Sequence, residues 1–386
     1  MGRRGDGALG NWEISPSPHP TVSPSGRLPV ARPLLFLITA LVLVYGIIYP
    51  NLHIVIRSLQ ENGNWSLANY RDALSQSIVL EAVLTSLSVS ILTVVFCALL
   101  GIPLAFLFER YSFPGRRFFA ILSALPLVLP PLVGTVAFIF LCGESGIFAR
   151  LIQTVFRLET PPWSLRGWTA LLLFHTYTMY PFFYVLTGAG LRRIDAGLAE
   201  AGRSLGGGRS YVLFRVILPQ LTPSLVAAGL LVFMTSMASF SAPLLFGGNV
   251  RMMTLEIFTA RQRGDLELAL TETVILAAFS LGALIFFQRY EGTRKFVAAA
   301  TKGTRARLKP IVSGKARAAA IVCGVLFSVL LVLPVATLIL VSFATEGQWT
   351  TQTLPPSYTF ANYARVLAEK DASEVFPNSL SMSAIA

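Results

Sequence analysis

Charge is scarce in this chain. Of 386 residues, 13% are Asp, Glu, Lys or Arg and 54% are hydrophobic, whereas a soluble domain carries roughly 25% charged residues. Several uncharged runs reach the roughly 20 residues that cross a bilayer as helix. A large soluble helical core is excluded, because runs this long and apolar would not stay in solution. Histidine and cysteine are scarce too. His19, His53 and His175 show no metal-ligand spacing, and Cys97, Cys142 and Cys323 lie far apart, mostly inside apolar runs. This excludes a disulfide framework or a metal site readable from spacing, and no cofactor is expected. No Ser-His-Asp or paired-carboxylate arrangement suggests an enzyme. Residues 1–32, rich in Gly, Pro, Ser and Arg, lack the apolar core of a cleaved signal peptide. They read as a disordered cytoplasmic tail.

What is present is an all-α polytopic membrane protein. Spans are expected at 33–56, 80–107, 117–141, 167–190, 223–246, 271–290 and 317–342, with an eighth beginning near Asn378. The net charge of +12 sits in the loops. It forms no basic stripe with interleaved aromatics, so nucleic acid is not an expected partner. Most of the 31 lysines and arginines fall on one side: in the tail, around Arg110–Arg117, at Arg192–Arg215 and from Arg289 to Arg317. The basic side is cytoplasmic by the positive-inside rule, which puts the N-terminus inside.

Two spans carry unusual residues. The third contains Pro126, Pro130 and Pro131. These break the helical ladder, either as a packed kink or to line a pathway with freed carbonyls. The fifth carries Thr235, Ser236, Ser239 and Ser241. These are pathway candidates, though small hydroxyls more often bond helix to helix. His175 reads as a hydrogen-bonded packing histidine. Glu81 and Glu272 lie at span ends, which speaks against an ion-driven carrier needing intramembrane carboxylates.

The chain also repeats itself. Leu67-Ala68-Asn69-Tyr70 recurs as Phe360-Ala361-Asn362-Tyr363, an offset of 293, and Ser86-Leu87-Ser88 recurs as Ser379-Leu380-Ser381 at the same offset. Pro50 and Ser58 match Pro334 and Ser342, with nine extra residues in the later loop. The expected organisation is a first six-span copy over 33–290 and a linker over 291–316. A second copy starts at 317 and stops a few residues into its second span at Ala386. A complete second copy would bring the chain to roughly 580 residues, with a second basic loop near position 493.

Between the fourth and fifth spans lies the basic loop 195–219. Asp195 can cap a helix to about Leu205, ended by Gly206-Gly207-Gly208, and Ser210 can cap a second short helix ended at Pro219. Leu198, Ala201 and Leu205 share one face of the first helix, and Val212 and Val216 share a face of the second. An elbow with an apolar face and a carboxylate, Glu200, suits a groove on a partner.

This loop resembles the EAA loop of ABC-transporter permease subunits of the binding-protein-dependent import class. That pattern is Glu-Ala-Ala, three residues, Gly, nine residues, then Ile-x-Leu-Pro. Glu200, Ala201, Gly206, Leu218 and Pro219 match in register. Val216 replaces Ile and Gly202 replaces the second Ala, which lowers helix propensity by up to about 1 kcal/mol. The resemblance extends over most of the chain and is greatest to ferric-iron-type fused two-repeat permeases; those for thiamine, 2-aminoethylphosphonate and polyamines are similar. It implies an importer subunit in a bacterial inner membrane. Its partners would be a cytoplasmic ABC ATPase dimer, a periplasmic or lipid-tethered substrate-binding protein and membrane lipid. Glu200 would anchor the ATPase, Gly206 would form the turn, and Leu218-Pro219 would start the fifth span. Outside that class stand an ion-driven carrier and a non-functional fragment. Gly197-x-x-x-x-Gly202-Arg203-Ser204 mimics a phosphate loop, but Arg203 replaces its lysine and no buried strand precedes it. ATP hydrolysis is therefore assigned to a separate subunit.

Overall fold

The computed structural model describes residues 31–61, 63–293, 308–345, 349 and 352–385. The tail, but for its last two residues, and the middle of the expected linker lie outside them. Two compact units form, one ending at Ile54 and one running from Val55.

In the first unit, α1 (Ala31–Leu43) passes through a π-turn (Val44–Ile48) into α2 (Tyr49–Ser58), whose last turn from Val55 is counted with the second unit. In the second, a hairpin of β1 (Gln60–Glu61) and β2 (Asn64–Trp65) leads through α3 (Ala68–Ser75) to α4 (Ser77–Arg110). Then come β3 (Tyr111–Ser112), α5 (Arg116–Leu122), a 3₁₀ turn (Leu125–Val128), α6 (Pro131–Cys142), α7 (Ile147–Phe156) and α8 (Gly167–Arg193). The loop holds α9 (Ala196–Ser204) and α10 (Arg209–Val212), followed by a π-turn (Leu213–Ile217) and α11 (Leu218–Met237). Beyond it lie α12 (Ser241–Phe246), α13 (Met253–Gln262), α14 (Leu266–Thr293), β4 (Lys309–Pro310), α15 (Gly314–Ser342), α16 (Ala361–Ala368) and α17 (Lys370–Ile385).

Among the described residues, six helical stretches are long and apolar enough to cross a membrane: 36–58, 77–110, 131–156, 209–237, 266–289 and 314–342. α8 is long enough, with 27 residues, but more polar. It lies in the centre of the second unit, where its polar groups meet neighbouring helices rather than lipid. α4 has no charge between Glu81 and Glu109; its 34 residues span about 50 Å at 1.5 Å per residue, more than the roughly 30 Å of hydrocarbon. α4, α8 and α11 form the core through Val89, Cys97, Phe174, Tyr180 and Val232. Small residues let them approach. A Cβ on Gly101 would lie 2.6 Å from the Tyr180 carbonyl, and one on Gly190 would lie 2.6 Å from Ser224 Oγ.

Three expected helix boundaries are corrected. The third span is broken rather than kinked. Leu129 (ψ 124°) and Pro130 (ψ 138°) are extended, because a residue before proline is driven out of the helical region. Pro131 then starts α6, where its missing N–H costs nothing. The fifth span ends at Met237, not 246, and its Ser241–Phe246 portion is the separate α12. The helix expected near Asn378 begins at Lys370 and carries Pro377 inside it.

The sequence repeat is repeated in hydrogen bonds. Ser58 Oγ lies 2.6 Å from Tyr70 Oη, and Asn69 Nδ2 donates to the Ser58 and Gln60 carbonyls at 3.3 and 3.1 Å. Ser342 Oγ lies 2.6 Å from Tyr363 Oη, and Asn362 Nδ2 donates to the Ser342 and Ala344 carbonyls at 3.0 and 2.9 Å. Each clasp folds a short helix back onto the end of the preceding span. In the later loop Trp349, Gln352 and Thr353 meet α7, with the Arg150 guanidinium 5.0 Å from the Trp349 ring centre.

The described end of the linker is ordered. Lys309–Pro310 pairs in parallel with Tyr111–Ser112. α15 then lies against α8, where Tyr177 Oη donates to the Leu331 carbonyl at 2.8 Å and Phe327 meets Tyr180 edge-on.

Candidate functional site

The loop grows from the ends of the core helices. At the tip of α8, Arg192 pairs with Glu109 of α4. Neither residue was singled out from the sequence, where charges at span ends are too common to stand out. Asp195 turns the chain, its side chain accepting from the Gly197 N–H at 3.0 Å as an N-cap does. α9 ends in a pair of hydrogen bonds, Gly206 N–H to the Arg203 carbonyl at 2.9 Å and Gly207 N–H to the Gly202 carbonyl at 3.0 Å. This is the Schellman pattern, and it holds Gly206 at φ +82°, a left-handed conformation natural to glycine.

α9 has two different faces. Inward, Ala199 joins Ile194, Val212, Ile217 and Leu221 in a small core under the loop. Gly202 also faces inward, where an added Cβ would lie 3.3 Å from Val212 and 3.5 Å from Val216. The valine face of the second helix therefore closes on Gly202. Outward, Glu200 and Ala201 are exposed, with Leu198 at 45% and Leu205 at 89%.

The second short helix expected to end at Pro219 does not end there. Gly208, not Ser210, holds its N-cap position, and helix runs on from Arg209 through the π-turn to Met237. Leu218 N–H bonds the Leu213 carbonyl five residues back. The wider turn leaves room for the ring of Pro219, which would otherwise press on the carbonyl four residues earlier. Val216, Leu218 and Pro219 are half-buried at this junction. Movement of the elbow is thus tied to α11 by continuous backbone.

The pathway candidates do not converge. Pro126 is buried, whereas Pro130 and Pro131 are exposed. Carbonyls next to the broken span face protein rather than water: Tyr180 Oη donates to Ser123 O at 2.6 Å and Tyr184 Oη to Ala120 O at 3.0 Å. Thr235 is exposed and bonds its own helix at Leu231 O. Ser236 and Ser239 turn inward to His175, with Ser239 Oγ 2.9 Å from Nε2 and Ser236 Oγ 3.3 Å from Nδ1. Ser90 donates to Ser236 at 3.1 Å. His175 is fully buried as the hub of this hydroxyl cluster, the packing role its surroundings suggested. Glu272 differs from expectation. It lies beyond the first turn of α14, 2% exposed, with Oε2 unpaired among the described residues. Its sequence position next to a polar stretch concealed that burial.

Residues 97–292, half of the chain, match the family described as binding-protein-dependent transport system inner membrane component. The probable ABC transporter permease protein y4fN of Sinorhizobium fredii is 32% identical over 72% of this chain and 49% of its own length. The ferric transport system permease protein FbpB of Actinobacillus pleuropneumoniae is 26% identical over 71% of this chain and 40% of its own. The molybdenum transport system permease protein ModB of Escherichia coli is 32% identical over 44% of this chain and 72% of its own. The chain thus spans about half the length or less of the first two relatives. A crystal structure of a bacterial ABC transporter importing the polysaccharide alginate superposes with a TM-score of 0.57 at 14% identity, covering 69% of this chain and 96% of that one. That likeness concerns the fold. With the motif in register, an all-helical bundle carrying it and a family match over half its length, this chain belongs to the inner-membrane permease components of binding-protein-dependent ABC transport systems.

Proposed function

We propose that this chain couples a cytoplasmic ATPase to solute import through the loop 195–219. The observation that carries this reading is the two-faced α9. Its small inner face is packed onto the core, while Glu200, Ala201, Leu198 and Leu205 stand exposed. An exposed apolar patch beside a carboxylate marks a docking surface. In this reading Glu200 and Leu205 enter the ATPase, and closure of the ATPase dimer pulls the elbow. The Gly206 turn and the junction at Val216, Leu218 and Pro219 pass that movement to α11, so access alternates between the two sides. The basic end is cytoplasmic and a periplasmic or tethered binding protein delivers solute to the other. Residues 33–290 act as one permease copy and a second begins at 317, a reading supported by the duplicated Asn-Tyr clasp.

Ferric iron is the proposed cargo, supported by the ferric permeases among the relatives; molybdenum permeases resemble the chain too. Replacing Glu200 by Ala and Gly206 by Val in the assembled transporter tests the coupling. Uptake is expected to fall at least tenfold, with less ATPase retained on purification. Full uptake with the ATPase detached would refute the role of the loop. Competition between labelled ferric iron and molybdate tests the cargo, and uptake of molybdate alone would replace iron.

A further inference from the structure

α11 stops at Met237 and the chain resumes as α12 at Ser241. Pro243 accounts for the break. In a continuous helix residue 243 would donate its N–H to the Ser239 carbonyl. Proline has no N–H, and its ring presses on that carbonyl instead. The freed carbonyl is taken by another helix: Thr254 Oγ1 of α13 donates to it at 2.7 Å. Among the described residues, no backbone hydrogen bond links Phe240 or α12 back to α11. The two helices are therefore joined by residues 238–240, none of them helical, and by side chains.

Ser239 is held from a second side. His175 of α8 is fully buried. Its Nε2 meets Ser239 Oγ at 2.9 Å, and its Nδ1 meets Ser236 Oγ, on the last turn of α11, at 3.3 Å. One imidazole thus bridges the end of α11 and the joint that follows it. Its tautomer follows from its partners. Ser90 of α4 donates to Ser236, which leaves the Ser236 proton for Nδ1 and the ring proton on Nε2, donated to Ser239. Beyond the joint, α12 is packed on one face only. Ala242 and Phe246 join Phe138 and Phe174 in the core, while Leu244 and Leu245 are exposed.

We propose that His175 is a positioning residue that makes α11 and α12 move as one. Held at its hydroxyl by His175 and at its carbonyl by Thr254, Ser239 turns a loose joint into a stiff one. The inference rests on the reading that the elbow moves α11. It carries that movement past the break, to the end of the bundle away from the loop. Without the His175 contact the pull on α11 ends at Met237.

The joint is tested on the full chain without the ATPase. Spin labels at Gln220→Cys on α11 and Leu244→Cys on α12, both exposed, report the spacing across the break by double electron–electron resonance in a chain without other cysteines. One narrow distance is expected. Removing a hydrogen bond shifts an equilibrium by about tenfold, so Ser239→Ala should show a second distance. His175→Asn keeps a polar atom near Nδ1 and none at Nε2, and should do the same. His175→Gln reaches the Nε2 position and should keep the single distance, whereas a role in packing alone would move Asn and Gln variants alike. A single distance in Ser239→Ala and His175→Asn, or equal broadening in the Asn and Gln variants, overturns the proposal. In the assembled transporter, His175→Asn is expected to lower uptake about tenfold with ATP hydrolysis retained, and His175→Gln to restore it. Unchanged uptake for each ATP hydrolysed, in a chain whose joint has loosened, also overturns the proposal. Uptake that survives substitution of Glu200 and Gly206 would instead remove the reading of α9, while the spin-label spacing still decides the joint.

Discussion

Gly206 shows how much one residue can decide. Its φ of +82° lets two carbonyls at the end of α9 be satisfied at once, and a side chain there strains the backbone by about 1–2 kcal/mol. Gly206→Val is therefore expected to loosen the elbow. Trypsin cleavage after Arg203 or Arg209 in the detergent-purified chain should accelerate about 5–30-fold; an unchanged rate would mean that the turn tolerates strain. Asp195→Ala removes the cap on the other end of α9 and should cost about 1 kcal/mol, read in the same assay. Both residues were legible from sequence, because a capping carboxylate and a left-handed glycine act within a few residues of themselves. Gly202 was not. It reads as a weak helix former, and only the approach of Val212 and Val216 explains its small size.

At the scale of elements, helix starts and stops followed local rules until tertiary contacts intervened. Proline broke the third span as its chemistry requires, but what met the freed carbonyls was not readable. The answer is Tyr180 and Tyr184, more than fifty residues away. Tyr180→Phe leaves a buried carbonyl unpaired and should cost about 1–3 kcal/mol, seen as a lower Tm in detergent. No change in Tm would mean that water or a rearranged turn replaces the phenol. Pro219 illustrates the opposite error. A proline after a short helix suggests a stop, yet a π-turn absorbs it and the helix continues. The two clasps allow a paired test. Tyr70→Phe and Tyr363→Phe each remove one hydroxyl contact of 2.6 Å, so each should loosen its short helix to a similar degree. Hydrogen exchange in residues 68–75 and 361–368 measures this, and a clear inequality would mean that the copies bear load differently.

For the whole molecule, the arrangement of charge predicts sidedness. Leu205 is 89% and Trp65 70% exposed, near opposite ends of α4. Leu205→Cys in a chain without other cysteines should react with an impermeant maleimide only after cells are opened, and Trp65→Cys should react from outside. Labelling of Leu205→Cys in intact cells would invert the orientation. Composition and periodicity alone determined that the chain crosses a membrane as helices, that it repeats, and that its basic loop carries the Glu200–Pro219 pattern. These properties reside in runs of neighbouring residues and need no fold to be seen. Tertiary structure decided which face of α9 stays open, that Ser236 and Ser239 hydrogen-bond His175, and that α15 lies against α8. It also brought Thr254 to the Ser239 carbonyl at the break after α11. Each of these depends on distant residues sharing space, and in a membrane the sequence of a helix marks which residues are apolar, not whether lipid or protein will cover them.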